Sequence, residues 1–201
     1  MSFNANTFRQ ELKYGGARPT LFEVSLTFPS FVPSASAAGA KVTFMCKASQ
    51  VPGMNLGTIE IPYFGRTIKT PGDRTFEDWT MTVINDEDYL VRNALEAWSN
   101  AIDQIDQDTE TIRNEELEDI NSYVIDITVK QFSKRGNIVK QYQLKNAHPS
   151  VIAPIELSWE NKDTIEEFDV TFVYDYFVTQ GFDAAGTLGQ GTFSEASNTP
   201  S

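Results

Sequence analysis

Residues 72–98 read GDRTFEDWTMTVINDEDYLVRNALEAW, and two periodicities meet inside them. Trp79, Met81 and Val83 alternate with Thr80 and Thr82, which predicts a half-buried strand over 75–84. Beyond it, Leu90, Ala94, Ala97, Trp98 and Ala101 recur at helical spacing and form one apolar stripe, predicting a helix over about 86–103. Asn85 or Asp86 can cap that helix, and Asp86, Glu87 and Asp88 suit the positive end of its dipole. A strand runs directly into an amphipathic helix, and no other stretch reads as a convincing helix.

The segment just upstream, 49–74, has a different texture. Pro52, Gly53, Gly57, Pro62, Gly65, Pro71 and Gly72 interrupt short β-prone pieces, a pattern of an extended hairpin or loop with little core of its own. Yet Met54, Leu56, Ile59, Ile61, Phe64 and Ile68 are too apolar for an idle solvent loop. Such a segment is expected to be mobile when the protein is free and to order against a partner, with these six as candidate contact residues. The competing reading is an ordinary hairpin packed on its own barrel.

Working outward, Phe22, Val24, Leu26 and Phe28 alternate with Glu23, Ser25 and Thr27 as a strand. Pro29, Pro33 and the Ser/Ala/Gly run 34–40 read as a loop before a second strand at about 41–48, with Val42, Phe44 and Cys46 on one face. Residues 1–20 read as an arm punctuated by Gly15, Gly16 and Pro19. Downstream, an acidic insertion over 103–121 holds eight carboxylates in 103–119 against the lone Arg113. Strands follow at 122–132 and 138–144, joined by the turn Lys134-Arg135-Gly136-Asn137. A loop with Pro149 and Pro154 leads to a strand near 155–159, and the last strand spans about 166–178. Phe168, Val170, Phe172, Tyr174 and Tyr176 share one face of that strand, with Val173 and Phe177 on the other. Two covered faces fit either a central core strand or one that meets another subunit. Residues 179–201 are rich in Gly, Ser and Thr and read as a flexible C-terminal tail whose removal leaves folding intact. The plan is mainly β: a barrel or sandwich with one flanking helix, in a domain spanning 1–178.

The chemistry-bearing residues argue against catalysis. His148 is the only histidine and Cys46 the only cysteine, so neither a zinc site nor an internal disulfide can be built. His148 reads as a surface-loop residue and Cys46 as a small buried hydrophobe on a strand. Counting from Asp106, an EF-hand fails because Thr111 stands where Gly is needed and Leu117 where Glu is needed. Glu166, Glu167 and Asp169 lie in or beside an alternating strand and read as exposed carboxylates rather than an acid/base pair. No cofactor is expected.

The net charge of −12 opposes tight nucleic-acid binding, which needs Lys and Arg to displace counterions. A surface that DNA slides past without sticking remains compatible with it. No run of 18 apolar residues is present, and the start lacks a signal-peptide core, so no membrane insertion is expected and the cytoplasm is the expected place of synthesis and assembly.

The stretch 72–98, together with RPTLFEVSLTFP (18–29), CKASQVPG (46–53) and NKDTIEEFDVTFVYDYF (161–177), resembles the tail tube proteins of contractile, T-even-like bacteriophages. The resemblance covers about 1–178 in order; the acidic insertion and the tail depart from it. It implies a barrel close to the type VI secretion tube fold, in a structural virion protein that is not an enzyme. It further implies hexameric rings stacked into a hollow tube, with a tail sheath protein outside, baseplate and terminator proteins at the ends, and DNA passing through the lumen. With about four strands per subunit, about 24 strands at ~4.8 Å and a tilt of ~40° give a backbone diameter on the order of 47 Å. An acidic channel wall would then deny the genome a place to stick. A type VI-like secretion tube and a monomeric β-sandwich binding module are the alternatives.

Overall fold

A computed structural model describes residues 5–12, 16–102, 120–160 and 162–181. The acidic stretch 103–119 and residues 182–201 lie outside the described residues.

The chain forms helix α1 (Ala5–Glu11), strand β1 (Phe22–Leu26), helix α2 (Ala35–Met45), and strands β2 (Cys46–Ser49), β3 (Met54–Tyr63), β4 (Arg66–Phe76) and β5 (Trp79–Ile84). Helices α3 (Leu90–Ile102) and α4 (Ile120–Tyr123) follow, then strands β6 (Ile125–Phe132), β7 (Ile138–Ile152), β8 (Glu167–Val173) and β9 (Tyr176–Gly181). All strand pairs are antiparallel.

The organising element is β7, which takes part in two sheets. Its first part pairs with β6 on one side and β9 on the other, and β6 pairs with β1. Its last residues pair with β8, which continues through β5 to β2. The bend falls at Asn146, whose φ of 57° no regular strand tolerates and which Asn accepts more readily than most residues. Opposite it, Asp175 donates its N–H to the Lys145 carbonyl and its carboxylate receives the Asn146 amide at 2.6 Å. The expected last strand is therefore two strands, β8 and β9, broken at Tyr174–Asp175 but running in line along β7. Tyr176 falls past the break and is exposed, while Phe168, Val170, Phe172 and Tyr174 are buried.

Between the two sheets and helices α2 and α3 lies one core. Val24, Leu26, Ile127 and Val129 come from the first sheet; Trp79, Met81, Val83, Val170 and Phe172 come from the second. Trp98 of α3 sits fully buried between Phe28 and Phe172, at ring distances of 5.9 and 6.2 Å, and donates its indole N–H to the Tyr123 carbonyl. The buried stripe of α3 is Val91, Ala94, Leu95 and Trp98, one turn-edge away from the expected Leu90 and Ala101. That helix starts at Leu90, later than expected. Tyr89 with φ 52° precedes it, Asp88 accepts the Leu90 N–H, and Asn85 turns away to Glu166.

Several expectations are corrected. Residues 35–45 are helical, not a loop followed by a strand. Alanine is the strongest helix former, and Ala38 and Val42 are buried at i, i+4 spacing, while Phe44 points out at 84% exposure. Gly39 lets that helix lie on β1, since a Cβ there would sit 3.0 Å from the Leu26 carbonyl oxygen. No strand forms at 155–159, and β7 reaches Ile152, so His148 and Pro149 are strand residues rather than loop residues. The arm contains the short helix α1, none of whose residues is buried. Residues 179–181 belong to β9, so the strand outlasts the expected start of the tail.

Candidate assembly interface

Among the described residues, none of those weighed for chemistry is arranged for it. His148 is half-buried, paired in register with Val173, with its ring 6.4 Å from that of Tyr123. Its Nδ1 is buried without a hydrogen-bond partner. Burial pushes the Cys46 thiol up to about 11, the wrong direction for a nucleophile. The three carboxylates are engaged structurally. Glu166 accepts from the Tyr89 hydroxyl at 2.8 Å and the Asn85 amide at 3.1 Å, which hold it below the usual carboxylate range. Glu167 pairs with Lys47, and Asp169 accepts from the Thr82 hydroxyl. Among the described residues, no cluster of His, Cys, Asp and Glu could hold a metal, and no helix is long and apolar enough to cross a membrane.

The unusual surface is the β3–β4 hairpin. All ten residues of β3 are exposed, and β3 and β4 form a two-stranded sheet of their own. All six residues singled out from the sequence are here, at 48–91% exposure. An isolated two-stranded ribbon is marginal in water, so this one exposes apolar side chains without obvious gain to the free subunit.

Register sorts its residues into faces. Ile61 stands opposite Ile68, Ile59 opposite Thr70 and Tyr63 opposite Arg66, so these share one face. Glu60 opposite Lys69, joined at 3.3 Å, marks the other. The outer arm is therefore amphipathic, with an unpacked apolar face ending in a cation. Met54 and Leu56 alternate onto the Glu60 side, nearer the base, beyond a register shift between Leu56 and Thr58. The six residues do not form a single patch.

The tip is strained. Phe64 and Gly65 form the two-residue turn with φ of 42° and 77°. Positive φ at both positions is what a tight hairpin turn asks for, and glycine supplies it freely, but a bulky aromatic does not. Phe64 is 91% exposed, touching only the Tyr63 ring edge-on at 4.7 Å. Among the described residues, only that ring contact rewards an aromatic there. Sequence reading missed Tyr63; its place opposite Arg66 was the available signal.

The base is anchored firmly. Trp79 donates its indole N–H to the Gln50 carbonyl at 2.7 Å, and Asn55 donates to Glu77. Phe76, at the end of β4, packs on Tyr174 and Phe177. The arm thus projects from a fixed root.

Two further features face outward. The sheet β1-β6-β7-β9 has no strand paired to the outer edges of β1 and β9 among the described residues. Its solvent side is polar, with Glu23 bound to Lys130 at 2.8 Å and Asp126 to Lys145 at 2.6 Å.

A family model described as phage tail tube protein matches residues 17–180. The tail tube protein gp19 of Enterobacteria phage T4 is 30% identical over 162 residues, covering 80% of this chain and 90% of that protein. The tail tube protein of Serratia phage KSP90 is 28% identical over 171 residues, covering 84% and 93%. Among solved structures, the tube-terminating cap of the anti-feeding prophage superposes with a TM-score of 0.58 at 18% identity, covering 83% of this chain and 91% of that one. That last likeness is one of fold.

Proposed function

The chain belongs to the phage tail tube protein family, and from that premise we propose that it is the structural subunit of the inner tube of a contractile tail. Subunits close into hexameric rings, and the rings stack into a hollow tube that conducts DNA into the host cell. A sheath surrounds the tube, with baseplate and terminator proteins at its ends. Assembly takes place in the host cytoplasm, and the finished protein resides in the virion tail. Residues 1–178 form the tube domain, extended to Gly181 by β9.

The observation that carries this reading is the β3–β4 hairpin, a rigidly rooted arm whose apolar face and aromatic tip are exposed. Met54, Leu56, Ile59, Ile61, Phe64 and Ile68 are the proposed subunit contacts, on two faces and a tip. The open edges of β1 and β9 supply the second requirement. When β1 of one copy pairs with β9 of the next, closing the ring leaves the β1-β6-β7-β9 sheet without an open edge.

In that arrangement the solvent side of β1-β6-β7-β9 faces the channel. Its charges are two carboxylates and two lysines in pairs, among Ser25, Thr128, Gln141, Gln143 and Gln180. The wall is then nearly neutral and hydroxyl- and amide-rich rather than strongly acidic. Among the described residues, its two lysines are each paired with a carboxylate, so it offers phosphate little to hold.

Sedimentation and negative-stain imaging of concentrated protein test the reading. Rings or tubes are expected; a species near 22.5 kDa at every concentration and salt would overturn it.

A further inference from the structure

The structure assigns the receiving surface for the hairpin: an acid-lined groove with a bare apolar rim, between the 84–89 turn and residues 154–158 and 164–167, takes the β3–β4 arm of a second copy, head to tail. This rests on the tube reading and adds the half of the contact which that reading leaves open.

The groove is built from two adjoining depressions of about 500 and 390 Å³, which share Thr164, Ile165 and Glu166. Its apolar rim is unusually bare: Leu157 is 79% exposed, Ile165 71%, and the neighbouring Trp159 98%. Contiguous exposed side chains of this size mark an interaction site rather than ordinary surface. Its charged lining residues are Asp86, Glu87, Glu156, Glu166 and Glu167; Asp86 is paired with Lys41 and Glu167 with Lys47, so Glu87, Glu156 and Glu166 carry its acidic character. The walls are held in place. Glu166 is fixed by Tyr89 and Asn85, and Arg92 reaches from α3 to donate to the Ala153 carbonyl at 3.1 Å.

Two observations name the occupant. The first is charge. In a chain of net charge −12, the hairpin carries three basic residues, Arg66, Lys69 and Arg74, against Glu60 and Asp73. Its apolar face of Ile59, Ile61 and Ile68 ends in Arg66, the complement of a groove that joins bare apolar rim residues to an acidic lining.

The second is position. The hairpin and the groove sit at opposite ends of one strand. At the Trp79 end, β5 pairs with Phe172, and the chain leaves the neighbouring Ser49 for the hairpin. At the Ile84 end, β5 pairs with Glu167 and leads into the groove-lining turn. The six residues of β5, at about 3.3 Å each, set them roughly 20 Å apart, and the exposed arm is rooted at the end of β5 far from its own groove. A copy displaced along the strand direction presents its groove to the first copy's arm. Two different surfaces joined this way repeat without end, which is the geometry of an axial stack.

The test uses two full-length double variants, each first shown to melt as the wild type does. Ile59→Asp with Ile61→Asp disables the arm; Leu157→Asp with Ile165→Asp disables the groove. Each alone is expected to raise the critical concentration for elongation on the order of tenfold or more. Purified separately and then mixed, they complement once, because the intact groove of the first accepts the intact arm of the second. The product is a two-layer species that does not grow. If the groove variant elongates like the wild type while the arm variant does not, the arm docks elsewhere and this inference fails, with the tube reading intact. If both elongate normally, axial stacking through the hairpin fails as well. Should the groove variant not fold, Glu156→Arg, at an exposed position, is expected to raise the critical concentration; no change would overturn the docking site.

Discussion

Phe64→Asn should act with opposite signs on the free subunit and on the tube. The φ of 42° at Phe64 costs a bulky residue about 1 kcal/mol in backbone strain, most of which Asn avoids. Because the ring is 91% exposed, truncating it removes little burial from the subunit beyond the edge contact with Tyr63. Exchange protection of the β3–β4 amides in the free subunit is therefore expected to rise a few-fold or stay level. In the tube the same ring has nearly its whole surface to bury. If about half of a ~200 Å² side chain is covered on docking, the loss is about 2–3 kcal/mol, or on the order of a 30- to 100-fold rise in critical concentration. Hydrogen exchange on the free subunit and sedimentation across a concentration series measure the two effects. A loss of hairpin protection combined with an unchanged critical concentration would refute the reasoning. It would mean that the aromatic pair holds the turn and the tip touches no neighbour.

Wild-type amides 54–68 are expected to exchange fast in the subunit and slowly in the tube, and equal strong protection in both would make the hairpin part of the core. Met54→Asp with Phe64→Asp should leave a folded subunit that no longer stacks, checked by circular dichroism and imaging. Trp98→Ala removes a fully buried indole and orphans the Tyr123 carbonyl; a loss of about 3–5 kcal/mol and a Tm drop of roughly 10 °C are expected by calorimetry. Lys41 bonds both Asp86 and Asp88 at 2.6 Å, which raises its own pKa and lowers theirs. Depressed carboxylates stabilise above their unfolded pKa near 3.9, and a raised lysine stabilises below about 10.4, so the contribution is flat through neutral pH. Lys41→Met should destabilise at pH 7, with the difference from wild type shrinking as acid titrates the two aspartates. Deleting 179–201 should lower the Tm more than deleting 182–201, because Thr179, Gln180 and Gly181 pair with Tyr142, Gln141 and Lys140.

The sequence by itself determined the elements whose periodicity is long and whose punctuation is strong. Trp79, Met81 and Val83 alternate inward as written, the Lys134–Asn137 turn closes β6 onto β7, and the Gly- and Pro-broken stretch at 49–74 is an extended hairpin off the core. In the first two cases the local pattern admits one conformation, and in the third it admits only extended chain with little core of its own. Tertiary structure decided the places where local pattern admits two. Val42, Phe44 and Cys46 alternate, but three points also fit a helix that buries Val42 and releases Phe44, and the fit of Gly39 against β1 selects the helix. A single expected strand at 166–178 became β8 and β9 because Asn146 bends the partner strand, a cause some 30 residues away. The same holds for the interface. Six apolar residues in a segment unable to pack at home were legible, but their division between two faces needed the β3–β4 register. The groove could not be read at all. Its walls, the 84–89 turn and residues 154–158 and 164–167, are distant in the chain and meet because β5 and β8 pair, placing it one strand length from the root of the arm it is proposed to receive.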